Sequence, residues 1–172
     1  MDFYEVINGR ESVREYDVNK KIKLETLKKI ANAGRIAPSA CNFQPWEFLI
    51  ISSEDILEKV RPCYLASWFK EAPHILIVKG FRNKAWLRGY DEYSSLETDL
   101  TIAMDHMILA AENEGVATCW IAAFNPEILE KVLELKQDEF VYAITPLGYA
   151  KRGYIKKDHK PRKELSEILK II

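Results

Sequence analysis

The chain has 172 residues, of which 48% are hydrophobic, 30% charged and 11% aromatic, with a formal net charge of -1. That length and balance read as one folded domain spanning 1-172 with room for a core, and they exclude a disordered chain. The near-zero charge offers no global field toward nucleic acid or a membrane, and three cysteines without a CxxC pair argue against a disulfide scaffold or a structural zinc site.

The first ten residues, "MDFYEVINGR", carry acids where a signal peptide carries positive charge. Phe3, Val6 and Ile7 recur at helical spacing before Gly9, so a short helix is expected to deliver the chain to Arg10. Leu24, Leu27, Ile30 and Ala31 fit one face of a second helix, with Gly34 as its end. "WEFLII" (46–51) reads as a largely buried strand, Ser53 as the cap of a helix over "EDILEKV", and Pro62 as its stop. "HILIV" (74–78) is a second buried strand. The stretch 80–99 has no clean period of either kind and reads as a mobile loop or lid carrying Trp86, Tyr90 and Tyr93.

Leu100, Ala103, Met104, Met107 and Ala111 then mark one face of a long helix that ends at Gly115. "VATCWIAAF" (116–124) is expected to be a strand without a single charge. Asn125 and Pro126 supply a cap and first turn for "PEILEKVLEL", and "FVYAITPLGY" (140–149) is a further strand. Helices alternating with strands give an α/β or α+β sandwich. No apolar stretch approaches the ~20 residues that span a bilayer, which places the protein in the cytoplasm with no membrane partner.

Two clusters stand out. In "GRESVREYD" an extended chain points Arg10, Ser12 and Arg14 to one side, and a helix would still leave Arg10 and Arg14 adjacent. Two forked guanidiniums and a hydroxyl suit a phosphate monoester, although a solvated surface pairing these arginines with Glu11 and Glu15 remains open. The second cluster is the tail, where residues 151–163 hold seven cations against one acid, Asp158. That run is a solvated face or a second phosphate contact, with nucleic-acid binding the less favoured option. Phosphate-loop, nucleophile-elbow and HExxH motifs are absent, His74, His106 and His159 are too scattered for a metal site, and Cys41 has no nucleophile signature. The uncharged run around Trp120 and the amides Asn42 and Gln44 together suggest a flat ligand with apolar faces and polar edges. With a phosphate clamp added, that ligand is a flavin mononucleotide.

Four motifs in order, "RESVREYD", "APSACNFQPWEFLII", "ATCWIAAF" and "PLGYA" followed by "KPRKEL", resemble those of the nitroreductase family of FMN-dependent oxidoreductases. The resemblance implies an α+β fold with a central mixed or antiparallel sheet flanked by helices, and an intertwined homodimer with FMN at the interface. It also implies ping-pong chemistry in which NADH or NADPH reduces the flavin and a small electron acceptor, such as a nitroaromatic or quinone, reoxidises it. Carried to this sequence, Arg10 and Ser12 bind the phosphate and ribityl end and Arg14 the pyrimidine edge. Pro38, Ser39, Ala40 and Asn42 reach the flavin of the other subunit, with Gln44 supporting that loop. Ile121, Ala122 and Ala123 lie along the isoalloxazine, with a backbone N–H near Ala123 aimed at N5. Lys160 and Arg162 complete the clamp, and Gly148 gives the chain room to turn toward it. The sequence departs from the family pattern at Ala122 and Ala123, where many relatives have an acid and a glycine. Two other readings keep the flavin: a specialised, for instance oxygen-dependent, enzyme and a non-catalytic flavin-binding sensor.

Overall fold

The computed structural model describes residues 1–157 and 160–172; Asp158 and His159 lie outside the described residues. At its centre is a sheet of β1 (Trp46–Ile51), β2 (His74–Phe81), β3 (Ala117–Thr118) and β4 (Glu139–Gly148) in the order β1-β2-β4-β3, every neighbour antiparallel. Strand β2 is apolar on both faces because it is covered on both. Leu76 and Val78 pack with Leu27 and Ile30 of α2 (Leu24–Arg35) and Leu100, Met104 and Met107 of α4 (Leu96–Asn113). Ile75 and Ile77 pack instead with Leu57 and Val60 of α3 (Glu54–Val60) and Leu129 of α5 (Pro126–Leu133). The period of two thus splits one apolar run between two cores. Strand β1 is an edge strand and only partly buried, which corrects the expectation of a largely buried one.

The expected strand over 116–124 pairs far less than its composition suggests. Ala117 and Thr118 pair with Gly148 and Leu147, and the same register returns at an isolated Ile121–Ile144 bridge. Between them stands Pro146, which has no N–H to donate, and the Cys119 N–H goes to Thr145 Oγ1 at 2.9 Å. The ladder is thereby interrupted at Cys119 and Trp120 and touches again only at Ile121.

Several glycines serve closeness rather than turning. Helix α2 runs through Gly34 to Arg35, and a Cβ at Gly34 would lie 2.8 Å from Met107 Cγ and 2.9 Å from Phe48 Cε2. Gly34→Val is therefore expected to lower stability by roughly 1–3 kcal/mol through overpacking of the α2–α4 contact, read as a lower urea midpoint. Gly148 turns nothing: it sits in β4 with Tyr16 Cδ1 and Pro73 Cδ each 2.9 Å from where its Cβ would be, which corrects the expected bend toward the tail. Gly115, at φ +70°, ends α4 as expected. Asn125 caps α5 through the Glu127 N–H at 3.0 Å, whereas the Ser53 side chain makes no cap bond to α3.

The irregular 80–99 stretch is shorter and more ordered than its sequence suggests, since Gly80 and Phe81 finish β2 and Leu96 begins α4. Between them Leu87 bridges Ser94, Arg88 N donates to Tyr93 O at 2.8 Å, and Asp91 binds the Arg88 guanidinium at 2.7 and 2.6 Å. Tyr90 stands 98% exposed at the tip. The chain ends in a helical turn, α6 (Leu165–Ile168), that the composition of the tail does not announce.

His74 is structural. Its Nε2 accepts the Ile22 N–H at 3.2 Å, so Nδ1 carries the proton and donates to Ser52 Oγ at 2.7 Å. Burial, and then Lys21, push its pKa below the ordinary 6.5. The folded state thus prefers the neutral ring, and its contribution to stability, complete above pH 6.5, is lost as pH falls through the lowered folded value. Urea midpoints are expected to fall on acidification below pH 6.5, and His74→Gln is expected to flatten that slope.

Candidate functional site

The site begins where α1 (Phe3–Gly9) stops. Its N-terminus is held by a capping box between Asp2 and Glu5, and Arg10 leaves it in extended conformation at φ -60°, ψ 129°. The extended chain docks beside β3, with Val13 N donating to Thr118 O at 2.9 Å and Ser12 bridging Thr118. Alternation then does what the spacing predicts. Glu11 and Val13 are buried, and Arg10, Ser12 and Arg14 line, with Glu11 between the first two, an open cleft of about 360 Å³.

The other wall of that cleft is the basic tail, through Lys157, Lys160 and Arg162. The two cationic clusters, at opposite ends of the sequence, share one cavity. Lys160 Nζ donates to the carbonyls of Asn8 and Arg10 at 2.5 and 2.7 Å, so it also fixes the backbone that carries Arg10. Arg162 Nη1 donates to Pro161 O at 2.9 Å. A smaller recess of about 210 Å³ shares Arg10 and Ser12 and reaches Thr118 and Trp120. The Arg14 guanidinium lies 5.8 Å from the Trp68 ring centroid. The Cys119 thiol is pushed above its ordinary pKa by burial, with Arg14 and Ser12 opposing, and so remains a packing group.

Ile121 is buried and exchanges both backbone bonds with Ile144, at 2.9 and 3.0 Å. Ala122 and Ala123 are exposed, and among the described residues their N–H groups have no acceptor. They do not line the cationic cleft.

The loop of Pro38, Ser39, Ala40, Asn42 and Gln44 does not line that cleft either. It is a strained turn, with Cys41, Asn42 and Gln44 all at positive φ (49°, 56° and 50°). Its own amides hold it: Gln44 Nε2 donates to Asn42 O at 3.1 Å and Gln44 N to Ser39 Oγ at 3.0 Å. Gln44 therefore braces the loop. The decisive anchor is Asp99, 2% exposed, whose Oδ1 accepts the Ala40 N–H at 3.0 Å and whose Oδ2 accepts from Ser95 Oγ at 2.8 Å. The sequence signal for it was an acid set on the apolar stripe of α4 between Leu96 and Leu100.

Glu11 is the second residue that spacing alone misses. Among the described residues it belongs to no ion pair; both its oxygens accept from the tail, Oε1 from Tyr154 OH at 2.9 Å and Oε2 from Lys157 N at 3.1 Å.

This α+β fold is shared by known proteins. The nitroreductase family profile matches residues 7–69 and 60–149. A nitroreductase family protein from Clostridium difficile 630 superposes with a TM-score of 0.90 at 30% identity, over 99% of this chain and 98% of that one. A Methanothermobacter thermautotrophicus protein provisionally named NADH dehydrogenase/NAD(P)H nitroreductase is 26% identical over 154 residues, which covers 87% of this chain and 78% of that protein. A Bacteroides fragilis nitroreductase solved with bound FMN shares the fold, with a TM-score of 0.77 at 24% identity and full coverage of both chains. The chain belongs to the nitroreductase family.

Proposed function

We propose that the protein is an FMN-dependent oxidoreductase that takes electrons from NADH or NADPH and passes them to a small oxidised acceptor, such as a nitroaromatic or a quinone. The observation that carries this reading is the convergence of Arg10, Ser12 and Arg14 with Lys160 and Arg162 on one cleft. With Lys157 added, three guanidiniums, two ammoniums and a hydroxyl make a donor set matched to a phosphate monoester dianion. The acceptor-free N–H groups of Ala122 and Ala123 fit the polar edge of a flat heterocycle. When bound, FMN supplies the hydride chemistry; the chain supplies binding, orientation and charge.

In this reading the protein works in the cytoplasm as a homodimer, and the loop of Pro38 to Asn42 serves the flavin held by the second copy. Support comes from that loop's rigid, outward presentation away from its own chain's cleft. Trp86, Tyr90 and Tyr93 then cover the open flavin face. Described helices offer no span long and apolar enough to cross a membrane. The test is the visible spectrum: purified protein should be yellow, bleached by NADH or NADPH and recoloured by a nitroaromatic or quinone. Colourless protein that refuses added FMN sinks the proposal.

A further inference from the structure

We propose that Glu11 is a positioning residue that latches the basic tail over the cleft, so that Lys160 and Arg162 are presented to the ligand's phosphate rather than left in solvent. This rests on the flavin reading above for the identity of the ligand. The latch itself is a matter of geometry in this chain.

Glu11 stands between Arg10 and Ser12 in the wall of the cleft, yet its side chain is buried to 6% exposure. A buried carboxylate needs its oxygens satisfied, and here both are satisfied by the tail. The bonds come from a phenol and from a backbone N–H three residues further on, so they fix the path of the chain as well as its proximity. Two further stitches flank them. The Lys156 ammonium donates to Gly9 O at 3.2 Å and pairs with the Glu112 carboxylate, itself 9% exposed. Lys160 Nζ follows with its two carbonyl bonds. Gly9 makes room for this, since a Cβ there would stand 2.9 Å from Glu112 Oε1.

The physical need for a latch is plain from the composition. A segment with seven cations among residues 151–163 repels itself, and ordering it costs roughly 1–2 kcal/mol of backbone entropy per residue. Were the ligand to meet a free tail, binding would carry that ordering as a penalty; a tail held beforehand does not impose it. Tyr154 is suited to hold the latch, because partial burial, then its bond to Glu11, push its pKa up to about 12 and keep it a donor throughout the neutral range.

The variants are Glu11→Ala, Glu11→Gln and Tyr154→Phe, the last removing one donor and no charge. Amide hydrogen exchange on the flavin-free protein reads the latch without any ligand. Faster exchange at Tyr154 and Lys157 is expected in all three, greatest in Glu11→Ala. Flavin fluorescence titration with FMN and with riboflavin, which lacks the phosphate, reads the consequence. Glu11→Ala is expected to lower the FMN-to-riboflavin affinity ratio roughly tenfold, the size of one charge-assisted contact, with Glu11→Gln and Tyr154→Phe intermediate. Unchanged exchange in the tail overturns the latch. So does an FMN-to-riboflavin ratio that holds while both affinities fall together, the pattern of a merely structural residue. If wild-type protein binds neither flavin, the flavin reading fails while the exchange result still judges the latch.

Discussion

Arg10→Ala is expected to weaken FMN binding roughly 100-fold while moving the melting temperature of the flavin-free protein by less than about 2 °C. The asymmetry follows from where the guanidinium points. It lines the open cleft and makes no ion pair among the described residues, so its contribution to the fold is that of a solvated charge. The backbone of Arg10 has a separate job, accepting from Lys160, and the substitution leaves that carbonyl in place. The measurement therefore isolates the side chain. Flavin titration and thermal melts of both forms check it, with Arg10→Lys recovering part of the affinity as a point charge without the fork. An equal drop in melting temperature with and without flavin contradicts a binding role.

Asp99→Ala is expected to lower stability by roughly 3 kcal/mol and to disorder the 38–44 loop. The carboxylate is buried and satisfies a backbone donor on one side and a hydroxyl on the other, so its removal strands both. The loop it anchors carries three non-glycine residues at positive φ, a conformation that persists only where surrounding bonds over-determine it. Thermal melts and faster amide exchange across residues 40–44 read the effect. Asp99→Asn, which keeps one acceptor oxygen, is expected to lose only about half as much. Unaltered exchange in the loop would show that the prolines and Gln44 hold it without Asp99.

The elements and clusters were legible to different depths. Arg10, Ser12 and Arg14 share a face because alternation is a property of any extended chain, and no tertiary information is needed to see it. Glu11 shows the limit of the same rule. Alternation sets it apart from Arg10 and Ser12, but only the return of the tail buries it and gives its carboxylate the Tyr154 hydroxyl as a partner. Gly34 and Gly148 read as punctuation, yet both serve close approach by chains remote in sequence, Met107 in one case and Tyr16 in the other. The uncharged "VATCWIAAF" has strand composition, but pairing depends on the partner strand, and Pro146 there lacks the donor that the ladder requires.

The sequence by itself determined the local facts: which stripes are apolar, where α1, α4 and α5 begin or end, and that two cation-rich clusters and one amide-rich loop exist. Propensity, capping and periodicity act over a few residues and are written in the residues themselves. The tertiary structure alone decided the assembly of these facts. It brought Arg10, Ser12 and Arg14 together with Lys157, Lys160 and Arg162 at one cleft, kept the 38–44 loop out of that cleft, and buried Glu11 and Asp99 as the anchors of each. Those outcomes depend on contacts between residues about 60 to 150 positions apart, whose closure is set by the packing of the sheet and its two helical layers. A carboxylate facing solvent and one that organises a binding site are the same letter until the fold supplies the partner.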